Sequence, residues 1–297
     1  MDVLSDTIAA VRTGSPAAGL FVRHAPWGRR YPLVPSAGFH VLLRGSCWAL
    51  PPEGEPLAMT AGDVLFMPRG SAHVLVSDPD AEVTEVAMPG EPRELDGSGE
   101  RAELLCGAYE LGRRHPLLDG LPDFVLLPGR SDRHPALRGA VELLTAEVSA
   151  PGPGSDAALP ALLDMLLLFT LRAWFESPES CSRTGVFTDP AVSAAMRAIH
   201  DDPGYPWTVA TLSAVAGVSR ATLGRRFAAT VGEAPLAYLT RWRMLTAARL
   251  LRESDAGLAA VARRVGYASE FAFAKAFKRE FGQAPGRYRR STARPAA

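Results

Sequence analysis

Cysteine is scarce in this chain. Its 297 residues include only three cysteines, which are Cys47, Cys106 and Cys181. Cysteines so few and so widely spaced exclude a disulfide framework and a zinc ribbon. Cys47 and Cys106 lie in predicted strands, where a buried thiol usually serves only as packing. A redox switch through this pair stays open as an alternative.

A membrane-spanning segment is also missing from the pattern. The most apolar stretch, Leu159–Phe175, is interrupted by Pro160, Asp164 and Arg172. It therefore falls short of the roughly 20 apolar residues that a span needs. Residues 1–12 contain acidic side chains and no long apolar core, which predicts an amphipathic helix and not a secretory signal. These absences predict a cytoplasmic protein with no membrane partner.

The chain has no net charge, but the two signs are separated along it. Residues 189–297 contain 17 Lys and Arg against 8 Asp and Glu, a net charge of +9. The remaining 188 residues contain 15 against 24, a net charge of −9. A basic C-terminal part indicates a polyanionic partner, and the acidic remainder indicates a different role. The length itself suggests about two domains.

Residues 208–227 show the pattern of a helix-turn-helix unit. Apolar or small residues recur there at helical spacing, at Val209, Leu212, Val215 and Ala216. This spacing predicts a short helix with one buried face. Gly217 can adopt the positive φ at which such a helix ends.

A second helix is predicted directly after this turn, with Ser219 as its N-cap. Leu223 and Phe227 lie four residues apart and are expected to face the core. The opposite side carries Arg220, Thr222 and Arg225. A helix with an apolar buried side and an Arg/Thr free side suits the major groove of DNA.

The same pattern returns about fifty residues later in the chain. Its first helix contains Leu258, Val261, Ala262 and Val265. Gly266 supplies the turn, and Ser269 caps the second helix. The inward residues of that helix are Phe273, Phe277 and Phe281, and the outward ones are Ser269, Ala272, Lys275 and Lys278. The duplication is a much stronger signal than either unit alone.

One predicted helix of about twenty residues joins the two units. Pro235 suits its first turn, and Leu239, Trp242, Leu245 and Leu251 give it an inner stripe. Such a helix is roughly 30 Å long, which is close to the roughly 34 Å of one DNA turn. Both recognition helices are therefore expected to enter successive major grooves on one face of double-stranded DNA.

The candidate base contacts are chosen by their chemistry. Arg220 and Arg225 are preferred, because a guanidinium can bind O6 and N7 of guanine together. Thr222 and Lys275 are further candidates on the free faces of the two helices. Glu270 either accepts a hydrogen bond from the cytosine amine or only occupies a favourable first helical turn.

Other polar residues of this region are expected to hold the DNA without reading it. Ser219 and Ser269 are first of all N-caps, and their hydroxyls can also meet a phosphate. The residues expected to meet phosphates or water are Lys278, Arg279, Arg287, Arg289 and Arg290.

The stretch G-Y-A-S-E-F-A-F-A-K-A-F-K-R-E-F-G-Q-A-P-G-R-Y-R (Gly266 to Arg289) resembles the second-repeat signature of AraC/XylS-type transcription regulators. P-L-A-Y-L-T-R-W-R-M-L-T-A-A-R-L-L resembles their linker helix. The resemblance covers roughly the last hundred residues. It implies an all-α double helix-turn-helix domain that binds promoter DNA, with RNA polymerase as a further partner. Phe271 stands where that signature usually has a small polar residue.

Residues 18 to about 90 have a different pattern, which predicts an antiparallel β-barrel or jelly roll. Short apolar runs occur at Leu20–Val22, Phe39–Leu43, Val64–Met67, His73–Val76 and Val83–Val86. Turn signals separate them, and Gly28 is one of these. The stretch G-D-V-L-F-M-P-R-G-S-A-H (Gly62 to His73) resembles the second cupin motif, and the first 130 or so residues resemble the cupin-like effector domains of some AraC-type regulators.

A cupin metal site normally needs several imidazoles and a carboxylate. Here the region of the first motif offers only His40 beside the His73 of the second motif. The sequence therefore predicts no metal, no cofactor and no enzymatic activity. His40, Trp48 and His73 are expected either to line a pocket for a small-molecule effector or to be ordinary packed residues of the barrel.

Two helices, Pro135 to Ser149 and Leu159 to Glu176, are predicted to follow the barrel. The second is more apolar than one face of a monomer helix requires, which predicts a homodimer contact through Leu166 and Leu167. Residues 177–189 form the predicted interdomain linker.

The predicted fold is thus α+β and multidomain. Residues 1–134 form a cupin-like antiparallel barrel that senses a signal, 135–188 a helical dimerisation segment with the linker, and 189–297 an all-α double helix-turn-helix domain. The expected function is sequence-specific transcription regulation, as an activator or a repressor. The alternatives are a metal-dependent cupin enzyme fused to a DNA-binding domain and a redox-switched repressor.

Overall fold

A computed structural model describes residues 3–11, 16–87, 97–111, 118, 120–129, 133–177 and 189–292. Most of the predicted linker, 178–188, and with it Cys181, lies outside the described residues. The chain divides into two compact units. One contains all ten strands and the two helices that follow them; the other contains the N-terminal helix and the helices from Pro190 onward.

The first unit contains two five-stranded sheets. The strands are β1 (Ala17–His24), β2 (Gly28–Tyr31), β3 (Ala37–Arg44), β4 (Ser46–Leu50), β5 (Leu57–Thr60), β6 (Val64–Met67), β7 (His73–Val76), β8 (Glu85–Val86), β9 (Arg101–Tyr109) and β10 (Val125–Leu127). Their orders are β1-β9-β3-β6-β10 and β5-β4-β7-β2-β8. All pairs are antiparallel except β2 with β8. The core contains buried side chains of both sheets, among them Leu42 and Leu104 of one and Ala49 and Leu75 of the other.

Strand β2 was not predicted, because Gly28 was interpreted as a turn and two arginines follow it. In the structure Gly28 pairs with Val76, and a Cβ at this position would collide with the carbonyl oxygen of Glu82. Arg29 is buried and donates from Nη1 to Glu85 at 3.1 Å. The strand thus depends on contacts with residues distant in the sequence and not on an apolar local pattern.

Helices α2 (Pro135–Ser149) and α3 (Ser155–Glu176) pack against each other. The bounds of α2 agree with the prediction, and α3 begins four residues before the predicted Leu159. The hydroxyl of Tyr109 at the end of β9 donates to the Leu163 carbonyl oxygen at 2.7 Å, which ties α3 to the barrel. Leu166 and Leu167 are each only 1% exposed within this single chain. They form the core of the unit, so the prediction that they face a second copy is wrong.

By length and composition, α3 is the one helix among the described residues that could cross a membrane. Its polar interruptions therefore do not by themselves set it apart from a membrane span. A core helix of a globular domain passes the same test. Seven side chains of α3 are buried, including Leu163, Leu171 and Trp174, so in this chain it serves as such a core helix.

The second unit is entirely helical in its described residues. Its helices are α1 (Val3–Val11), α4 (Pro190–Asp201), α5 (Val209–Val215), α6 (Arg220–Val231), α7 (Pro235–Glu253), α8 (Leu258–Arg264), α9 (Glu270–Phe281) and α10 (Pro285–Thr292). Helix α7 is buried along much of its length and contacts α4, α6, α8, α9 and α10.

The N-terminal helix belongs to this second unit, although the sequence had grouped it with the barrel. Helix α1 contacts α4 and α7. Its buried Asp6 carboxylate lies 3.4 Å from Nδ1 of His200, and Nε2 of His200 lies 2.6 Å from the Tyr238 hydroxyl. Burial lowers the pKa of His200 even though Asp6 raises it. The neutral imidazole therefore connects α1 to both α4 and α7.

Candidate functional site

The first helix-turn-helix unit consists of α5 and α6. Thr208 and Thr211 form a capping box at the start of α5. Gly217, with a φ of 65°, makes the turn, and the Val218 N–H donates to the Ser213 carbonyl at 3.1 Å. Val215 was expected in the core but is 51% exposed, at the C-terminal end of α5.

Helix α6 presents a polar face to solvent. The Ser219 hydroxyl accepts from the Thr222 N–H at 3.2 Å, as a helix N-cap does. Leu223, Phe227 and Val231 are buried. The predicted base contacts Arg220 and Arg225 are exposed, and Thr222 is half-buried.

The second unit, α8 and α9, repeats this geometry. Gly266 has a φ of 78°, and the N–H of the next residue, Tyr267, donates to the Ala262 carbonyl at 2.9 Å. Ser269 caps α9 by accepting from the Ala272 N–H at 3.1 Å. Phe273 and Phe277 are buried. The predicted contact residues on α9 are all exposed: Glu270, Lys275, Lys278 and Arg279.

Helix α7 packs against both helix-turn-helix units. It contains 19 residues and is therefore about 28 Å long at 1.5 Å per residue. Tyr238 contacts Phe227 of the first unit edge to face, and Arg252 donates to the hydroxyl of Tyr288 beyond the second unit. The two recognition helices are thus presented by the same scaffold.

Arg289 differs from the sequence expectation. One of its Nη atoms donates to the Ala256 carbonyl oxygen at 2.6 Å, and the side chain is half-buried. This arginine therefore attaches α10 to the segment between α7 and α8. It is a structural contact and not one of the exposed groups available to phosphates.

The barrel contains a cavity of about 420 Å³ that is partly open to solvent. Its lining includes His40 and His73, together with Tyr31, Arg29 and Cys106. The rest of the lining is mostly apolar and includes Phe21, Val34, Met67 and several Gly and Ala residues. Trp48 does not line this cavity. Its strand neighbours Cys47 and Ala49 face the core, so the alternation of β4 directs Trp48 to the other side.

Hydrogen bonds fix the tautomers of the two cavity histidines. Nδ1 of His73 lies 2.8 Å from the Ser71 carbonyl and must donate to it. Nε2 of His73 is then an acceptor, and Nε2 of His40 donates to it across 2.7 Å. Burial lowers the pKa of His73. The pKa of His40 is lowered more strongly, first by burial and then by the nearby His73 and Arg29. Both imidazoles are thus neutral at pH 7.

The other polar groups beside this pair were not predicted from the sequence. The Tyr31 ring stacks on the His73 ring with centroids 4.8 Å apart, and its hydroxyl lies 3.6 Å from the Cys106 sulfur. Tyr31 belongs to β2, which gave no strand signal, so only the folded sheet brings it to the histidines.

The two cysteines of the barrel are poor candidates for a redox switch. Burial raises the pKa of both Cys47 and Cys106 to about 12, so both remain thiols at neutral pH. A thiolate is the reactive form of cysteine. Within the described part of the chain, no group of three or more His, Cys, Asp or Glu residues is arranged to hold a metal ion.

One unit of the chain is rich in β-sheet and contains a cavity large enough for a small ligand, and the other carries a duplicated helix-turn-helix. Together they define a DNA-binding transcription regulator with a cupin-like N-terminal domain. Residues 2–176 match a family model described as Cupin, and residues 212–291 match a Helix-turn-helix domain model. A putative AraC-like transcription regulator of Streptomyces lividans is 35% identical over 305 residues, covering 99% of this chain and 100% of the relative. The chain belongs to the AraC family of transcription regulators.

Two further proteins are similar to this chain. The HTH-type transcriptional regulator MtrA of Neisseria gonorrhoeae is 30% identical over 303 residues and covers 98% of both chains. The solved DNA-binding domain of AdpA, in complex with a target DNA, is 38% identical, with a TM-score of 0.33, and covers 35% of this chain and 92% of its own.

Proposed function

We propose that α6 and α9 read promoter DNA in successive major grooves. The observation that carries this proposal is the repetition of one turn geometry at the two ends of a single helix, with exposed basic residues on both recognition helices. The length of α7 supports it, because about 28 Å is near the roughly 34 Å between major grooves on one face of B-DNA.

Within this proposal, Arg220 and Arg225 contact guanine edges from α6, and Lys275 contacts bases from α9. Glu270 lies in the first turn of α9, where it can accept from a cytosine amine. The hydroxyl groups of Thr222 and Ser219 are hydrogen-bonded to each other at 2.9 Å. Both residues therefore stabilise the start of α6 and contact the DNA backbone. Ser269 has the same role in α9, while Lys278 and Arg279 contact phosphates.

The cavity of the barrel is the proposed effector site. Its volume lies in the range of small-molecule pockets, and its lining is mostly apolar with a few polar groups at His40, His73, Tyr31 and Arg29. A small, mainly apolar molecule with a hydrogen-bonding group fits this combination. Binding of such an effector regulates DNA occupancy only to the extent that it favours one state of the regulator.

The remaining parts of the proposal concern assembly and location. The regulator acts in the cytoplasm as a homodimer, contacts RNA polymerase at its promoters, and catalyses no reaction. Of these points, the relatives support the lack of enzymatic activity, since those that match along nearly the whole chain are themselves transcription regulators. Metal analysis of the purified protein tests the competing enzyme hypothesis, and a stoichiometric bound metal would favour it.

The test of DNA reading uses a duplex selected by the full-length protein from a random-sequence library. It compares two variants of the protein, one at an arginine and one at a lysine. Arg225→Ala is expected to keep the fold, weaken binding by about 10-fold or more, and relax preference at one base pair. Lys278→Ala is expected to weaken all duplexes similarly and to reduce the dependence of log affinity on log salt by about one charge.

The measurement is affinity for a set of single-base variants of the duplex at two salt concentrations. Identical sequence profiles for Arg225→Ala and Lys278→Ala would contradict the division into base and phosphate contacts. Unchanged binding by both variants would contradict the placement of α6 and α9 in the grooves.

A further inference from the structure

The side chain of Phe271 is exposed to an extent that packing does not explain. It is 81% exposed, the highest value among the exposed large hydrophobic residues of the described chain. The other phenylalanines near it on α9, Phe273 and Phe277, are fully buried. No ring–ring contact involves Phe271 within the described residues. Its ring therefore contributes little to the folded core.

Phe271 lies on the face of α9 that carries the cations. Residues four and seven positions along a helix project from the same side, so Lys275 and Lys278 lie in line with it. All three are exposed. Phe271 is also only two residues after the Ser269 cap, in the first turn of the helix. The N-terminal residues of a recognition helix are the ones that reach base edges in the major groove.

The first unit provides a comparison within the same chain. The two recognition helices can be aligned by their N-cap residues, Ser219 and Ser269. In this alignment Arg225 corresponds to Lys275, and Ala221 corresponds to Phe271. The two recognition helices thus share a cation at one position and differ in apolar size at the other. The larger apolar group is present only on α9.

We propose that Phe271 contacts the 5-methyl group of a thymine in the half-site read by α9. The inference rests on the proposed placement of α9 in the major groove. Thymine presents the only methyl group among the four base edges there. A phenyl ring can neither donate nor accept a conventional hydrogen bond, so it gains from that methyl and from no other feature of the edges. Lys278, two turns further along the same face, holds α9 against the DNA backbone.

The test removes the methyl group from the DNA and the ring from the protein, separately and together. Each thymine of the selected duplex is replaced by deoxyuridine, which differs from thymidine only in lacking this methyl. For wild-type full-length protein we expect one position in the α9 half-site to lose about fourfold in affinity, the value of one buried methyl group. Phe271→Ala is expected to weaken binding to the unmodified duplex by at least this factor and to respond no further to deoxyuridine at that position.

Several controls separate the outcomes. Phe271→Leu keeps an apolar group and is expected to retain part of the methyl dependence. Deoxyuridine in the α6 half-site should affect wild type and Phe271→Ala equally. Because Phe271 is exposed, the variants are expected to melt like wild type, which circular dichroism checks.

The proposal is overturned if the effects of Phe271→Ala and deoxyuridine simply multiply at every position. It is also overturned if Phe271→Ala binds DNA like wild type but loses promoter activity, which would assign the ring to a protein partner. Failure of the underlying DNA-reading proposal can be distinguished from failure of the Phe271 proposal. In the first case Arg225→Ala and Lys275→Ala, and not only Phe271→Ala, would leave DNA affinity unchanged.

Discussion

At the scale of single residues, the buried His40–His73 pair couples the stability of the barrel to pH. The two rings share one hydrogen bond of 2.7 Å. Each pKa is lowered, chiefly by burial. The nearby groups Tyr31 and Cys106 have raised pKa values and stay protonated between pH 5 and 8. The two imidazoles therefore dominate titration around the cavity in this range.

The sign of the expected effect follows from proton uptake. Below about pH 6.5, histidines of the unfolded chain bind protons, while this pair stays neutral in the folded barrel. Unfolding is therefore favoured as the pH falls, by up to about 1.4 kcal/mol per pH unit for each histidine. Above that pH both states are neutral and the pair adds no pH dependence.

His40→Gln is expected to remove one histidine's share of this slope between pH 7.5 and pH 5.5. The measurement is the free energy of urea unfolding of the full-length protein at several pH values, for wild type and variant. Taking the difference between the two cancels other titrating groups such as His200. Equal slopes in the two proteins would contradict the role assigned to His40.

At the scale of elements, α1 is a structural part of the DNA-binding unit. Its Asp6 meets His200, and the His200 ring stacks on Trp242 of α7 with centroids 3.7 Å apart. Removing the carboxylate leaves a buried imidazole N–H facing a cavity. Loss of a partner for a buried polar group costs about 1–3 kcal/mol.

Asp6→Ala is therefore expected to accelerate amide hydrogen exchange in α4 and α7 by about 10-fold or more, since local opening free energies set these rates. Exchange in the strands of the barrel should change little. Asp255→Ala, at an exposed position of the same unit, is the matched control. A uniform change across both units, or none in α4 and α7, would show that α1 does not stabilise the DNA-binding helices specifically.

At the scale of the whole molecule, the outer face of α3 is our revised candidate for the homodimer contact. Leu166 and Leu167 are occupied by the core of their own chain. Met165 is 39% exposed, and Leu162 and Phe169 on the same side are half-buried. An apolar stripe of this kind is typical of subunit contacts.

Met165→Glu is expected to shift the protein from dimer to monomer at micromolar concentration, because it places a charge in an apolar interface. Leu236→Glu is the control, since Leu236 is equally exposed, at 39%, but lies on α7. Sedimentation velocity measures both. A monomeric wild type, or a dimeric Met165→Glu variant, would remove α3 from this role.

The sequence by itself determined the DNA-binding helices in considerable detail. Gly217 and Gly266 end the first helices, and Ser219 and Ser269 cap the second ones, where the patterns placed them. These signals are reliable because turns and caps depend on interactions between residues only a few positions apart. The spacing of Leu223 and Phe227 likewise identified the buried face directly.

Only the tertiary structure decided the features that depend on distant contacts. Strand β2 pairs with β7 and β8, and its Arg29 contacts Glu85, 56 residues away; its arginines give no local strand signal. Likewise Asp6 of α1 reaches His200 in the helical unit, and Leu166 is buried in a helix that packs against α2 and β10. Burial and charge pairing across such separations leave no periodic trace in the sequence, so the fold alone determines the cavity and the free face of α3.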